Sequence, residues 1–140
     1  MALYASVAEN YSVEVPGEAT VSTYEGQNHT SIQTEWGPGY YFISSTDVSA
    51  LNIADTDLPR IFISSVNGMV EAEPGATVRE AESVTIGGEP ALTGIIDRPD
   101  DSSGMRFVVT AHNDVHYLIL VDEFDDDRDE NFISSFTFLD

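Results

Sequence analysis

Residues 105–121 constrain the fold more than any other stretch, because two apolar runs meet there across Asn113-Asp114. A two-residue loop of this kind suits a primed hairpin turn, whose twist matches that of its flanking strands. The loop length then sets the register: His112 faces Val115 and Ala111 faces His116. Phe107, Val109, Ala111, His116, Leu118 and Leu120 share one face, and Val108, Thr110, His112, Val115, Tyr117, Ile119 and Val121 share the other. Both faces are largely apolar, whereas an antiparallel sheet with one wet side would alternate. The hairpin is therefore predicted to lie in a sheet covered above and below.

Residues 87–140 extend this pattern into strand, turn, strand, tight turn, strand, acidic loop, short helix and last strand. Four groups carry a resemblance: Gly88, Pro90 and Ala91; Arg106 and Phe107; Asn113-Asp114 with Tyr117 and Leu118; and Phe132-Ile133-Ser134-Ser135-Phe136. Their order resembles the C-terminal half of the PsbP/DcrB-like superfamily. That group includes the extrinsic photosystem II subunit PsbP, the Ran-release factor of nuclear import, bacterial DcrB proteins and LpqN-type lipoproteins. Ala91 stands where many relatives carry a second Gly. The resemblance implies an α+β fold, an α/β/α sandwich around a mostly antiparallel sheet, and no common enzymatic activity. It also touches chaperones of secreted effectors.

The first half reads as a strand meander followed by one helix. Tyr11-Ser12-Val13-Glu14-Val15 alternates apolar and polar residues and stops at Pro16-Gly17, a strand and its turn. Residues 20–25 form a weaker strand, expected at an edge. In residues 30–36, Ile32, Thr34 and Trp36 fall on one face and Gln33 and Glu35 on the other. Gly37-Pro38-Gly39 turns the chain, and residues 40–43 return as a strand apolar on both faces.

Leu58, Ile61, Phe62, Val66 and Met69 then make one helical stripe, with Thr56 or Asp57 as its cap and Pro59 in its first turn. Asn67-Gly68 is expected to fray or shorten that helix, and Glu73-Pro74-Gly75 to stop it. Residues 77–86 are a strand with Val78, Val84 and Ile86 inward. The last helix is expected to begin within residues 127–130. With no repeat, linker or low-complexity tract, residues 1–140 are predicted to form one domain.

Charge narrows the partners. Arg60, Arg79, Arg98, Arg106 and Arg128 are the only basic residues apart from histidines, against 25 Asp plus Glu, for a formal net charge of -20. Such a chain repels phosphate backbones and anionic lipid surfaces, so neither nucleic acid nor membrane insertion is expected. A protein partner, of unspecified identity, is. In dilute buffer the like charge opposes compaction; near 1 M salt the screening length falls to roughly 3 Å and the repulsion largely vanishes. Absence of Lys together with the acidic excess resembles proteins of salt-accumulating halophiles, and predicts adaptation to high salt. The first six residues carry no positive segment, and Glu9 precedes any long apolar run. As written, the chain reads as cytoplasmic, with an extracytoplasmic location expected if a signal or lipobox was trimmed.

No catalytic, cofactor-binding or metal-binding residue can be assigned. Cys is absent, which removes disulfides, thiolate zinc sites and a Cys nucleophile. His112 and His116 are four apart, but the two-residue turn sends them to opposite faces. Asp125, Asp126, Asp127, Asp129 and Glu130 invite comparison with a calcium loop, yet the required Gly would fall on Glu130 and the closing Glu on Phe136. A helix-capping acidic loop, with at most weak divalent cation binding, is the expectation. Ser occurs without a Gly-x-Ser-x-Gly elbow, and Gly87-Gly88 lacks the Lys of a phosphate loop. Asn28-His29-Thr30 matches the glycosylation sequon, which matters only outside a cell.

Trp36, Tyr40 and Tyr41 around Gly37-Pro38-Gly39 are the candidate partner contacts, set against a core role for Trp36 and one Tyr. The function expected is a non-catalytic accessory or binding domain acting through protein or small-ligand contacts. An acidic decoy of a basic partner and an effector chaperone are the alternatives.

Overall fold

The computed structural model describes residues 2–15, 19–23, 29–36, 39–99, 104–121 and 126–140. Among them are ten strands: β1 (Ala2–Ser6), β2 (Tyr11–Val15), β3 (Ala19–Thr23), β4 (His29–Trp36), β5 (Gly39–Asp47), β6 (Thr77–Ile86), β7 (Glu89–Asp97), β8 (Met105–His112), β9 (Val115–Val121) and β10 (Thr137–Phe138). Two α-helices accompany them, α1 (Leu58–Glu71) and α2 (Asp126–Ser134). Asn113 and Asp114 take φ of 50° and 62°, the left-handed pair that a type I′ turn requires. The hairpin closes in the expected register, His112 opposite Val115 and Ala111 opposite His116.

That hairpin lies inside a seven-stranded antiparallel sheet of order β3-β4-β5-β9-β8-β7-β6. β3 is at one edge, as the weak pattern of residues 20–25 predicts. A second sheet, β1-β2-β10, is small and also antiparallel. The two faces of the large sheet carry separate cores. Phe107, Val109, Ala111 and Ile96 pack under Phe62 and Val66 of α1. On the reverse face Val108, Tyr117, Ile119 and Val121 pack with Tyr11 and Val13 of β2 and with Phe132, Phe136 and Phe138 from the C-terminal segment. The architecture is α+β, and the layer opposite α1 combines α2 with the small sheet.

Aromatic residues close that second layer. Phe136 stacks on Tyr11 with ring centroids 5.1 Å apart and meets Tyr117 edge-on at 5.5 Å. Phe138 lies 5.3 Å from Tyr117. Edge-to-face and offset pairs at these separations are the geometry the ring quadrupole favours. Gly87 and Gly88 turn β6 into β7 with φ of 60° and 87°. A Cβ on Gly87 would stand 3.0 Å from the Phe138 ring, so the turn and the C-terminal strand are fitted to each other.

Several details depart from the periodicity. α1 runs through Asn67 and Gly68 to Glu71, because Val66, Met69 and Val70 continue to pack on the α1-side core and this outweighs the roughly 1 kcal/mol propensity cost of an interior Gly. Asp57 occupies the N-cap position without a side-chain cap bond; its carboxylate accepts from Arg60 at 2.8 Å instead. α2 starts at Asp126, one residue before the expected range. β1 has no counterpart in the sequence reading.

Val78 is 37% exposed rather than inward. A bulge between Arg79 and Glu82, with Glu80 at φ 56°, inserts one residue into β6. One inserted residue exchanges faces, so Val78 shares the α1 side with Ile96 while Val84 and Ile86 pack on the reverse core.

Candidate functional site

The two histidines of the hairpin lie on opposite faces, and their surroundings differ completely. His112 is held between two carboxylates: Nδ1 lies 3.0 Å from Glu89 Oε2 and Nε2 lies 3.1 Å from Asp140 Oδ1. Asn10 Nδ2 donates to the same Asp140 oxygen at 2.6 Å, and Asn113 Nδ2 donates to it at 3.2 Å. The imidazole also stacks on Phe138, centroids 4.2 Å apart and planes at 18°. A neutral imidazole has one N–H and can donate to one of these carboxylates; the imidazolium donates to both. Burial alone would lower the pKa of His112, but the Glu89 and Asp140 bonds outweigh it and hold it above its ordinary value. The bond from Asn10 and then that from His112 lower the pKa of Asp140. Because the carboxylates sit at opposite ends of the ring, they cannot converge with it on one cation. Among the described residues no group of three or more His, Asp or Glu is placed to hold a metal ion.

His116 sits on the α1 face, its ring 6.3 Å from that of Phe62. Burial lowers its pKa, so the neutral form prevails. Its Nε2 is buried without a hydrogen-bond partner among the described residues. The Tyr117 hydroxyl donates to the Glu9 carbonyl at 2.5 Å, and burial pushes its pKa up to about 12. Tyr11 is raised further by burial. Ser45 Oγ bonds the Glu9 carboxylate. His112, Ser45 and the Tyr117 hydroxyl are thus tied into hydrogen bonds, while His116 Nε2 is not.

Three clefts lined by described residues border α1. A helix about 10 Å across spans about two strands at a spacing near 4.8 Å, and α1 packs over β7 and β8. On the β6 side a cleft of about 110 Å³ runs between Pro59, Ile63, Ser83 and Leu92. At the helix start a smaller one, about 50 Å³, lies among Val48, Ile53, Leu58 and Ala111. The largest of the three, about 300 Å³, lies over β9 and β5. Its floor is Val109 and Leu118, its rim Ser44, Thr46 and Ser65, and His116 lines it. No sequence signal marks this groove, because it arises where one helix is too narrow for the sheet beneath it.

Tyr41 is 3% exposed and packs on Phe132 with centroids 4.6 Å apart, so it belongs to the core between the sheet and α2 and not to a contact surface. The backbones of Trp36 and Tyr40 are paired in β4 and β5, Glu35 opposite Tyr40 and Trp36 opposite Gly39. The side chains of Trp36 and Tyr40 lie outside the described residues, as do Asp125, the side chains of Asp126, Asp127 and Asp129, and Asn28 of the sequon. Glu130 is exposed on α2. No helix among the described residues is long and apolar enough to cross a membrane.

A seven-stranded antiparallel sheet with one helix on one face and a helix plus a small sheet on the other defines the class of domain. The solution structure of cyanobacterial PsbP (CyanoP) from Synechocystis sp. PCC 6803 superposes with a TM-score of 0.63 at 15% identity, over 98% of this chain and 91% of that one. The chain has a PsbP-like fold, as the groups from Gly88 to Phe136 imply. The protein of unknown function PA94 from Pseudomonas aeruginosa aligns over 88% of this chain and 82% of its own, with 14% identity and a TM-score of 0.49. No protein-family model and no curated protein matches the chain. At 15% identity the likeness to the cyanobacterial PsbP is one of fold.

Proposed function

We propose that this chain is a non-catalytic accessory domain that works by binding, to a protein partner or a small ligand, in a high-salt environment. The observation that carries the reading is the engagement of His112 and Tyr117 in structure. Both His112 nitrogens face carboxylates, and the Tyr117 hydroxyl bonds a backbone carbonyl. The fold shared with PsbP supports it. Contacts by Trp36 and Tyr40 at the β4–β5 end belong to this proposal, as does weak cation binding by the acidic residues 125–130.

The formal charge of -20 favours a second reading, an acidic decoy for a basic partner. The two readings separate by salt. At about 1 M the screening length of roughly 3 Å removes long-range attraction, so a decoy releases its partner while an accessory domain with an apolar contact keeps it. The test is crosslinked affinity capture of the full chain in molar KCl, followed by reconstitution with the single captured protein. Saturable binding at molar salt is expected. Binding confined to low salt would favour the decoy, and turnover abolished by His112→Gln would overturn the non-catalytic assignment.

A further inference from the structure

We propose that the groove between α1 and strands β5 and β9 binds an uncharged, hydroxyl-bearing small molecule of sugar size; this rests on the reading of the chain as a binding domain and names one class of its ligand. At about 300 Å³ the groove is nearly three times the volume of the next cleft beside α1 and reaches the range of small-ligand pockets. Its composition runs against that of the chain. Asp and Glu number 25 in 140 residues, yet the lining is Ser44, Thr46, Val48, Ser65, Val109, His116, Tyr117 and Leu118, without one carboxylate or arginine.

Each charge class of ligand is excluded by a different observation. An anion meets the repulsion of a chain with a formal charge of -20 and finds no arginine on the lining, where burial keeps His116 neutral. A cation finds no carboxylate there to pair with. A wholly apolar ligand would bury polar groups without replacing their bonds to water, which is unfavourable. What remains is neutral and polar at its rim.

The polar groups are free for such a ligand. The hydroxyls of Ser44, Thr46 and Ser65 make no side-chain hydrogen bond among the described residues; His116 also lines the groove, and its Nε2, buried and without a partner there, becomes available only as the ring turns toward the ligand. A neutral imidazole offers one donor and one acceptor, and each hydroxyl offers both. Val109 and Leu118 supply the apolar floor that a C–H face covers. A pyranose has that distribution, hydroxyls around its edge and C–H groups on its faces.

The test is an ¹H–¹⁵N NMR titration of the full chain in molar KCl with glucose, glucose 6-phosphate and glucosamine. Glucose should produce saturable shifts centred on Val48, Ser65, His116 and Leu118 with a millimolar dissociation constant, and each charged analogue should bind at least about tenfold more weakly. Ser65→Trp, at an exposed helix position, should fill the groove and abolish saturation; Thr46→Arg, on the exposed rim, serves the same purpose should the first variant fold poorly. Shifts that stay linear, map to another face, survive both variants or favour the phosphate would overturn the proposal. A chain that ignores glucose yet still holds its captured protein partner loses this inference alone and keeps the accessory reading.

Discussion

Replacing His112 with Phe preserves a ring on Phe138 and removes both carboxylate bonds, which isolates what the charged imidazole contributes. The Glu89 side chain is 34% exposed and that of Asp140 66%. A charge-assisted bond is worth about 1.5–3 kcal/mol when shielded and under about 1 kcal/mol at an exposed site. The partly exposed Glu89 bond then contributes about 1 kcal/mol, or about 3 °C in melting temperature for a domain of this size, and the exposed Asp140 bond adds to it in direction only. The sign with pH follows from the pKa of His112, which lies above its ordinary value in the folded chain. Below the unfolded value, near 6.5, both states hold the proton and the contribution is complete. As the pH rises through the folded value, the folded state must release a proton the unfolded state has already lost, and the contribution declines. Melts of wild type and His112→Phe in molar KCl should therefore differ most below about pH 6.5 and converge as the pH rises past the folded value. Convergence should be partial, because a neutral imidazole still donates one bond. Amide exchange at Leu139, whose N–H donates to the Asn10 carbonyl, should accelerate over the same interval. A gap that is constant from pH 5.5 to 9, or one that widens, would refute the two-carboxylate clasp.

Gly94→Ala should cost about 1–3 kcal/mol in urea unfolding, since its Cβ would stand 2.8 Å from Phe107 Cζ and 3.2 Å from the Ala81 Cα; an unchanged midpoint would mean that β6 and Phe107 are not packed as described. Phe136→Ala should cost about 3–5 kcal/mol by emptying the space between Tyr11, Tyr117 and Phe138, measured by the same method; a loss below about 1 kcal/mol would remove Phe136 from the core. Melting temperature should climb steeply from dilute buffer to about 1 M KCl as the self-repulsion of 25 acidic side chains is screened; a flat or falling curve would count against salt adaptation.

The large sheet was legible because its information is local. Asn113-Asp114 sets one register, and period-two alternation carries that register along β8 and β9, so both buried faces follow from seventeen consecutive residues. Where a single residue breaks the period, as in the β6 bulge, the same logic assigns Val78 to the wrong environment. β1 illustrates a different limit. Ala2-Leu3-Tyr4-Ala5-Ser6 has little strand character of its own, and its place depends on pairing with β2, Ala2 opposite Val15 and Ser6 opposite Tyr11. The clasp around His112 was illegible for the same reason: Glu89, His112, Asn10 and Asp140 come from four separate segments, and in a chain this acidic no particular carboxylate pair stands out.

The groove carries this reasoning one step further. A sheet of seven strands at about 4.8 Å spacing is nearly 30 Å wide, and a helix of about 10 Å cannot cover it. On the reverse face the shortfall is made up by a second sheet and a run of aromatic residues, Phe132, Phe136 and Phe138, that close over Tyr117 and Ile119. On the α1 face nothing comparable among the described residues covers β9 and β5. Leu118 and Leu120 remain half-buried, and Ser44 and Thr46 stand where a covered face would carry Val or Ile. Apolar residues at those two positions would require a second helix; hydroxyls tolerate water, and accept its replacement by a ligand with hydroxyls of its own. Ser44→Val with Thr46→Val separates these roles: if the hydroxyls only keep the face wet, the double variant binds glucose as the wild type does and loses solubility, and if they bond the ligand, saturation disappears while the melting temperature holds or rises.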